Sequence, residues 1–296
     1  MSGGMKITFH GVRGSTPCDA PHLARFGGNT SCVLIEAEDQ PPIIFDLGTG
    51  LRSYGVSLRD TGRAAGFRGS VLLSHLHWDH VQGLPFFEPL HERTSVLDVY
   101  GPRQSDGPLT EVFAGLMRPS YFPIRPDGLA GAIAFYDAGD DDFPLGTAKV
   151  RSRWIRYVGP TLGYRVEWNG VSVAYLSDHG QGCVTGDTDD YVSHDVFDLC
   201  DGVDLLIHDA QHTAGEFEAK RHWGHCTVEY ALHVARESGA QRLALFHHDP
   251  FRDDAAMEVI ERDACDSAER KGLREVFAAF EGMVVELEDA RHAGAV

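Results

Sequence analysis

Residues 74–80, Ser-His-Leu-His-Trp-Asp-His, set three imidazoles and a carboxylate in one short segment directly behind the apolar run Val71, Leu72 and Leu73. Side chains alternate along an extended segment, so His75 and His77 share one side, and a turn after them brings Asp79 and His80 to a neighbouring point. One loop of this kind can serve two metal ions. Imidazole nitrogen suits zinc, iron, nickel or manganese, and carboxylate oxygen widens the choice, so ligand type alone does not name the metal.

Other polar groups stand at the ends of apolar runs. Asp46 follows Ile43-Ile44-Phe45, Asp178 follows Val173-Ala174-Tyr175-Leu176-Ser177, Asp209 follows residues 205–207, and His247 follows residues 243–246. Asp46-Leu47-Gly48-Thr49-Gly50 invites comparison with a phosphate loop but lacks its Lys-Ser/Thr ending and spacing. An aspartate here fits better as a support for the histidine loop, orienting an imidazole through its other nitrogen.

Together with Gly11-Val12-Arg13-Gly14-Ser15-Thr16-Pro17, Gly27-Gly28-Asn29-Thr30-Ser31-Cys32, Gly163-Tyr164-Arg165, His208-Asp209-Ala210, Gly224-His225-Cys226-Thr227 and Phe246-His247-His248-Asp249-Pro250, these segments resemble the metallo-beta-lactamase-fold hydrolases. The resemblance is to the branch containing tRNase Z and the phosphonate-pathway cyclic phosphodiesterases. It implies an α/β fold, a four-layer αββα sandwich, with residues 1–296 as a single domain and a frayed tail after about 289. It also implies one or two divalent metal ions, zinc first with manganese or iron as alternatives. His75 and His77 would bind one ion, Asp79, His80 and His247 the other, and Asp178 would bridge them. Asp79, Asp209 and His225 would be the catalytic residues, with His225 as general acid and Asp209 orienting its imidazole. Relatives in this branch have a histidine six residues before the glycine of Gly-Tyr-Arg, as a further ligand of the first metal. Here that place is Tyr157.

The activity implied is phosphodiester hydrolysis on a small, cyclic substrate. The alternatives are a tRNase Z-like endonuclease, hydrolysis of esters, thioesters or lactones, and a catalytically silent metal-binding protein. A formal charge of −18 with four lysines argues for a small anionic substrate and against long nucleic acid, which draws its affinity from Lys and Arg on phosphates. The sequence admits a homodimer. The six cysteines show no Cys-x-x-Cys pair, the N-terminus has no apolar signal core, and no apolar run approaches a membrane span, which together imply a cytoplasmic protein with reduced thiols.

Among the elements, Asn169-Gly170 predicts a hairpin turn. Val228, Ala231, Leu232 and Ala235 predict one face of a helix over 227–237, ended by Gly239. A second strand-rich half is expected from Ala132 onward, with the acidic run 137–142 as a solvated loop.

Overall fold

The computed structural model describes residues 4–182, 191–271 and 273–288; Cys183 and the tail expected to fray lie outside them. Two seven-stranded sheets pack face to face. The first contains β1 (Met5–Gly11), β2 (Cys32–Ala37), β3 (Gln40–Phe45), β4 (Arg68–Leu72), β5 (Val96–Pro102) and β6 (Ala132–Ala138). The second runs β7 (Asp141–Leu145), β8 (Ala148–Trp154), β9 (Leu162–Trp168), β10 (Val171–Leu176), β11 (Leu205–Asp209), β12 (Arg242–Phe246) and β13 (Glu275–Ala278), and β14 (Val284–Leu287) returns to pair with β1. Each sheet is half antiparallel and half parallel: β3–β4–β5–β6 and β10–β11–β12–β13 are the parallel halves. This is the expected metallo-beta-lactamase sandwich.

Between the sheets lie alternate residues of both inner faces, among them Phe9, Phe45, Tyr164, Val173, Tyr175 and Phe246. Phe45 and Tyr175 stack across the interface with ring centroids 4.5 Å apart. Outside the first sheet pack α1 (Gly50–Asp60), α2 (Trp78–Val81) and α3 (Leu109–Leu116); outside the second pack α4 (His194–Cys200) and, past the short α5 (Ala214–Lys220), α6 (Val228–Glu237) and α7 (Asp254–Lys271). The α6 stripe is buried as its spacing predicts, and Thr227 caps the helix by accepting a hydrogen bond from Tyr230 N at 3.1 Å. Asn169 and Gly170 both have positive φ, the geometry that lets a two-residue turn follow the twist of β9 and β10.

Two expectations are corrected. β6 pairs in parallel with β5, so it belongs to the first sheet, and the second half starts after it. The acidic run is not wholly loop, because Asp141 and Asp142 begin β7. Carboxylates on an edge strand discourage pairing with another chain, so a charge run there is compatible with strand.

All the groups singled out at strand ends lie past the carboxyl ends of parallel strands: Asp46 after β3, the histidine loop after β4, Asp178 after β10, Asp209 closing β11 and His247 after β12. An α/β sheet opens its crevice at that end, where backbone groups leave the ladder.

Candidate metal centre and catalytic site

After β4 the chain stays extended through His77, then α2 turns Asp79 and His80 inward. His75, Asp79, His80, Asp178, His225 and His247 are all buried. His80 Nε2 lies 3.2 Å from Asp79 Oδ2 and 3.1 Å from Asp178 Oδ2. His247 Nε2 lies 3.2 Å and 3.4 Å from the same two oxygens. Three overlapping sets of potential ligands result: His75, His80 and Asp178; Asp79, His80 and His247; Asp178, His225 and His247. His77 is exposed and joins no such set among the described residues; its ring lies 4.5 Å from that of His75 and 5.4 Å from that of Tyr157.

Burial works against charge on all of these groups, and their neighbours decide the outcome. Burial lowers the His80 pKa, but Asp79, Asp178 and Asp46 outweigh it and hold the pKa well above the usual value. For Asp178, burial raises the pKa, while His247, His80 and His75 bring it well below the carboxylate range. His75 is pushed well down, by burial first and then by His80.

Unsatisfied atoms test whether a cation fits. His75 Nε2 and Asp178 Oδ2 are buried and have no hydrogen-bond partner among the described residues. Buried lone pairs of this kind are costly unless something electropositive meets them. The donor set of imidazole nitrogen and carboxylate oxygen is one that divalent transition metals accept.

Surrounding groups fix the ligands. Asp46 accepts from Ser74 N at 2.7 Å, from Tyr175 Oη at 2.7 Å and from His80 Nδ1 at 2.7 Å. That arrangement fixes the ring with Nε2 toward the cluster, where it can ligate an ion once it gives up its proton, the supporting role expected for this aspartate. Asp46→Asn is therefore expected to weaken metal binding by about 10–100-fold. Competition against a chelator measures it, and unchanged affinity would show that the carboxylate charge does not tune His80.

Ser15 N donates to Asp79 Oδ2 at 2.7 Å. Gln211 was not found from the sequence: its Oε1 lies 3.2 Å from His247 Nδ1, and its Nε2 donates to Ser15 Oγ at 3.2 Å. Nothing in its local sequence distinguishes it; its position two residues past Asp209 is the only pointer. Gly14 packs so closely on His247 that a Cβ there would overlap the imidazole. Asp46 and His247 themselves sit at φ of 59°, a backbone region that non-glycine residues seldom adopt.

Beside the cluster, His225 Nδ1 lies 2.8 Å from Asp209 Oδ2 and 3.9 Å from Asp178 Oδ1. Asp209 is held by Gln211 N at 2.9 Å and His179 N at 3.2 Å. The buried pair His179 and His208, 3.0 Å apart, braces these strand ends, with His208 Nδ1 donating to Asp209 O at 2.7 Å. Tyr157 lies in the site: its Oη is 3.2 Å from His225 Nε2 and its ring is 5.1 Å from that of His75. Burial first, then Asp178 and Asp209, raise the phenol's pKa, so it stays protonated. Gly224, at φ 90°, leaves room for the Tyr157 ring, which a Cβ would press upon.

Two sheets enclosed by helices, with a histidine and carboxylate cluster at the strand ends, define a metal-dependent hydrolase. A family model described as a beta-lactamase superfamily domain matches residues 57–248, and the chain belongs to that superfamily. It is similar to ribonuclease Z of Haloarcula marismortui, 26% identical over 331 residues that cover 97% of this chain and 98% of the relative. Among solved structures it is similar to human tRNase Z, short form, at 22% identity and TM-score 0.66, covering 96% of this chain and 100% of that one. A diphosphatase from the PhnP family matches at 16% identity and TM-score 0.66, over 96% and 98% of the two chains.

These relatives correct the exclusion of long nucleic acid as a partner. A full-length relative bears a name denoting cleavage of RNA, which the net charge had argued against. Net charge sums over the whole surface, whereas bound cations would invert the field locally at the cluster. Among the described residues no helix is long and apolar enough to cross a membrane, and Cys18, Cys32, Cys200, Cys226 and Cys265 are free thiols.

Proposed function

We propose that the protein hydrolyses phosphodiester bonds and that RNA is among its substrates. The observation that carries this is the Asp209–His225 pair, hydrogen-bonded at 2.8 Å and set beside the candidate metal cluster. His75 and His77 would hold one divalent ion and Asp79, His80 and His247 the other, with Asp178 between them; zinc is the first choice. When bound, such ions polarise a phosphoryl oxygen and make hydroxide available near neutral pH. Asp209 keeps the proton of His225 on Nδ1 and fixes the ring, so that Nε2 is the atom at which the proton for the leaving oxygen is exchanged. Tyr157 Oη, 3.2 Å from that nitrogen, aligns it. In this reading residues 1–296 act as one domain and the protein works in the cytoplasm.

Purified, metal-loaded protein assayed on bis(p-nitrophenyl) phosphate, cyclic nucleotides, single-stranded RNA, thioesters and lactones tests the proposal. Turnover of the phosphate diesters is expected, and the ratio of RNA to cyclic nucleotide turnover ranks the two substrate types. Turnover confined to thioesters or lactones would reject it.

Tyr157 limits the first ion. A protonated phenol is a poor ligand, and His179 is engaged with His208. Protein purified without added metal is expected to carry one tightly held ion at Asp79, His80, Asp178 and His247. Tyr157→His should raise the content toward two. Elemental analysis after identical dialysis decides; two tight ions in the parent would contradict the expectation.

A further inference from the structure

A line of rings leads from the candidate proton-transfer group to the surface. The His225 and His212 rings are 5.8 Å apart, and His212 lies 6.4 Å from the indole of Trp223. His212 is fully buried, yet neither ring nitrogen has a hydrogen-bond partner among the described residues. Its backbone is fixed: His212 N donates to Cys226 O at 3.1 Å, and Val228 N donates to His212 O at 3.0 Å, which ties it to the segment carrying His225. Burial, ahead of the nearby charges, lowers its pKa to about 4, so at neutral pH the ring offers one N–H and one lone pair.

Trp223, at the end of this line, is 43% exposed. Lys220 Nζ sits 5.8 Å from the indole centroid and 2.7 Å from Asp249 Oδ2, which restrains the ring and places a cation near it. An exposed indole at the end of a line of rings from His225, restrained by Lys220, offers a face on which a base can stack.

We propose that Trp223 forms a base-stacking subsite for the nucleotide on the His225 side of the scissile diester. The indole stacks on the base, and the buried His212 ring, 6.4 Å from the indole, backs it from within. The proposal rests on the phosphodiester reading. It also accounts for nucleotide binding by a chain of net charge −18, because stacking needs no basic groove.

The test compares parent, Trp223→Ala, Trp223→Phe and His212→Ala, each full-length and metal-loaded. Adenosine 2′,3′-cyclic phosphate is set against 1-O-methylribose 2′,3′-cyclic phosphate, which lacks the base. In Trp223→Ala the ratio of the two kcat/KM values should fall about tenfold, through KM rather than kcat, as loss of one stacked base implies. Trp223→Phe should recover most of it, and His212→Ala should lower the ratio as well. A short RNA with adenine or an abasic residue at the cleaved position shows whether the same subsite serves a polymer. An unchanged ratio in Trp223→Ala overturns the subsite. Calorimetric binding of adenosine 5′-monophosphate separates the two proposals. Binding that weakens in Trp223→Ala, in a protein with no diester turnover, supports the subsite and rejects the phosphodiester reading. Diester turnover with equal nucleotide binding in both proteins does the reverse.

Discussion

Replacing His80 by alanine is expected to strip the protein of its tightly bound ion, lowering affinity by more than about 100-fold and activity to background. Even an outer hydrogen-bond partner of a ligating histidine is worth about 10–100-fold in affinity, and the ligand itself is worth more. His80 has the largest effect because it stands at the centre: its Nε2 is within 3.3 Å of His247 Nε2, 3.2 Å of Asp79 Oδ2 and 3.1 Å of Asp178 Oδ2. Its removal also strands Asp46, a buried carboxylate that then keeps, among the described residues, Ser74 and Tyr175 as hydrogen-bond partners. Elemental analysis and circular dichroism of the variant beside the parent check this. Parent-like metal content in a folded variant would remove His80 from the centre.

His225→Ala is expected to behave differently, keeping parent-like metal content while kcat on phosphodiesters falls by about 10²-fold or more. His225 is engaged on both ring nitrogens, by Asp209 at 2.8 Å and Tyr157 at 3.2 Å, which suits a group that moves a proton and not one that donates a lone pair to an ion. Its presence in a potential ligand set with Asp178 and His247 makes the metal measurement decisive. Joint loss of metal and activity would reassign it as a ligand, and equal kcat in variant and parent would remove it from the chemistry.

Much of this site was legible in the sequence because its groups follow apolar runs that can only be buried strands. Asp46, Asp178, Asp209 and His247 each end such a run, and a sandwich brings those ends together. The helix over Val228–Glu237 was legible from its stripe and from Thr227 before it. What escaped depends on contacts between distant segments. Gln211 supports His247 only because β11 and β12 lie side by side, and no motif marks it. The allegiance of β6 is set by its pairing with β5, which its composition does not encode. Tyr157 was recognisable as a departure at a ligand position, but its bond to His225 needed the fold. The alternation that put His77 beside His75 overlooked that the first imidazole is buried and the second exposed. Charge misled about nucleic acid for the same reason: a sum over the chain says nothing about where an anion meets the protein.

Metal dependence of phosphodiester turnover tests the account most directly. Protein freed of metal by chelation is titrated with zinc while hydrolysis of bis(p-nitrophenyl) phosphate is followed. The account predicts no hydrolysis before metal is added, recovery within the first one to two equivalents, and no recovery in His80→Ala. Hydrolysis that persists in the chelated protein, or a fully reconstituted protein that cleaves no phosphodiester, would contradict it.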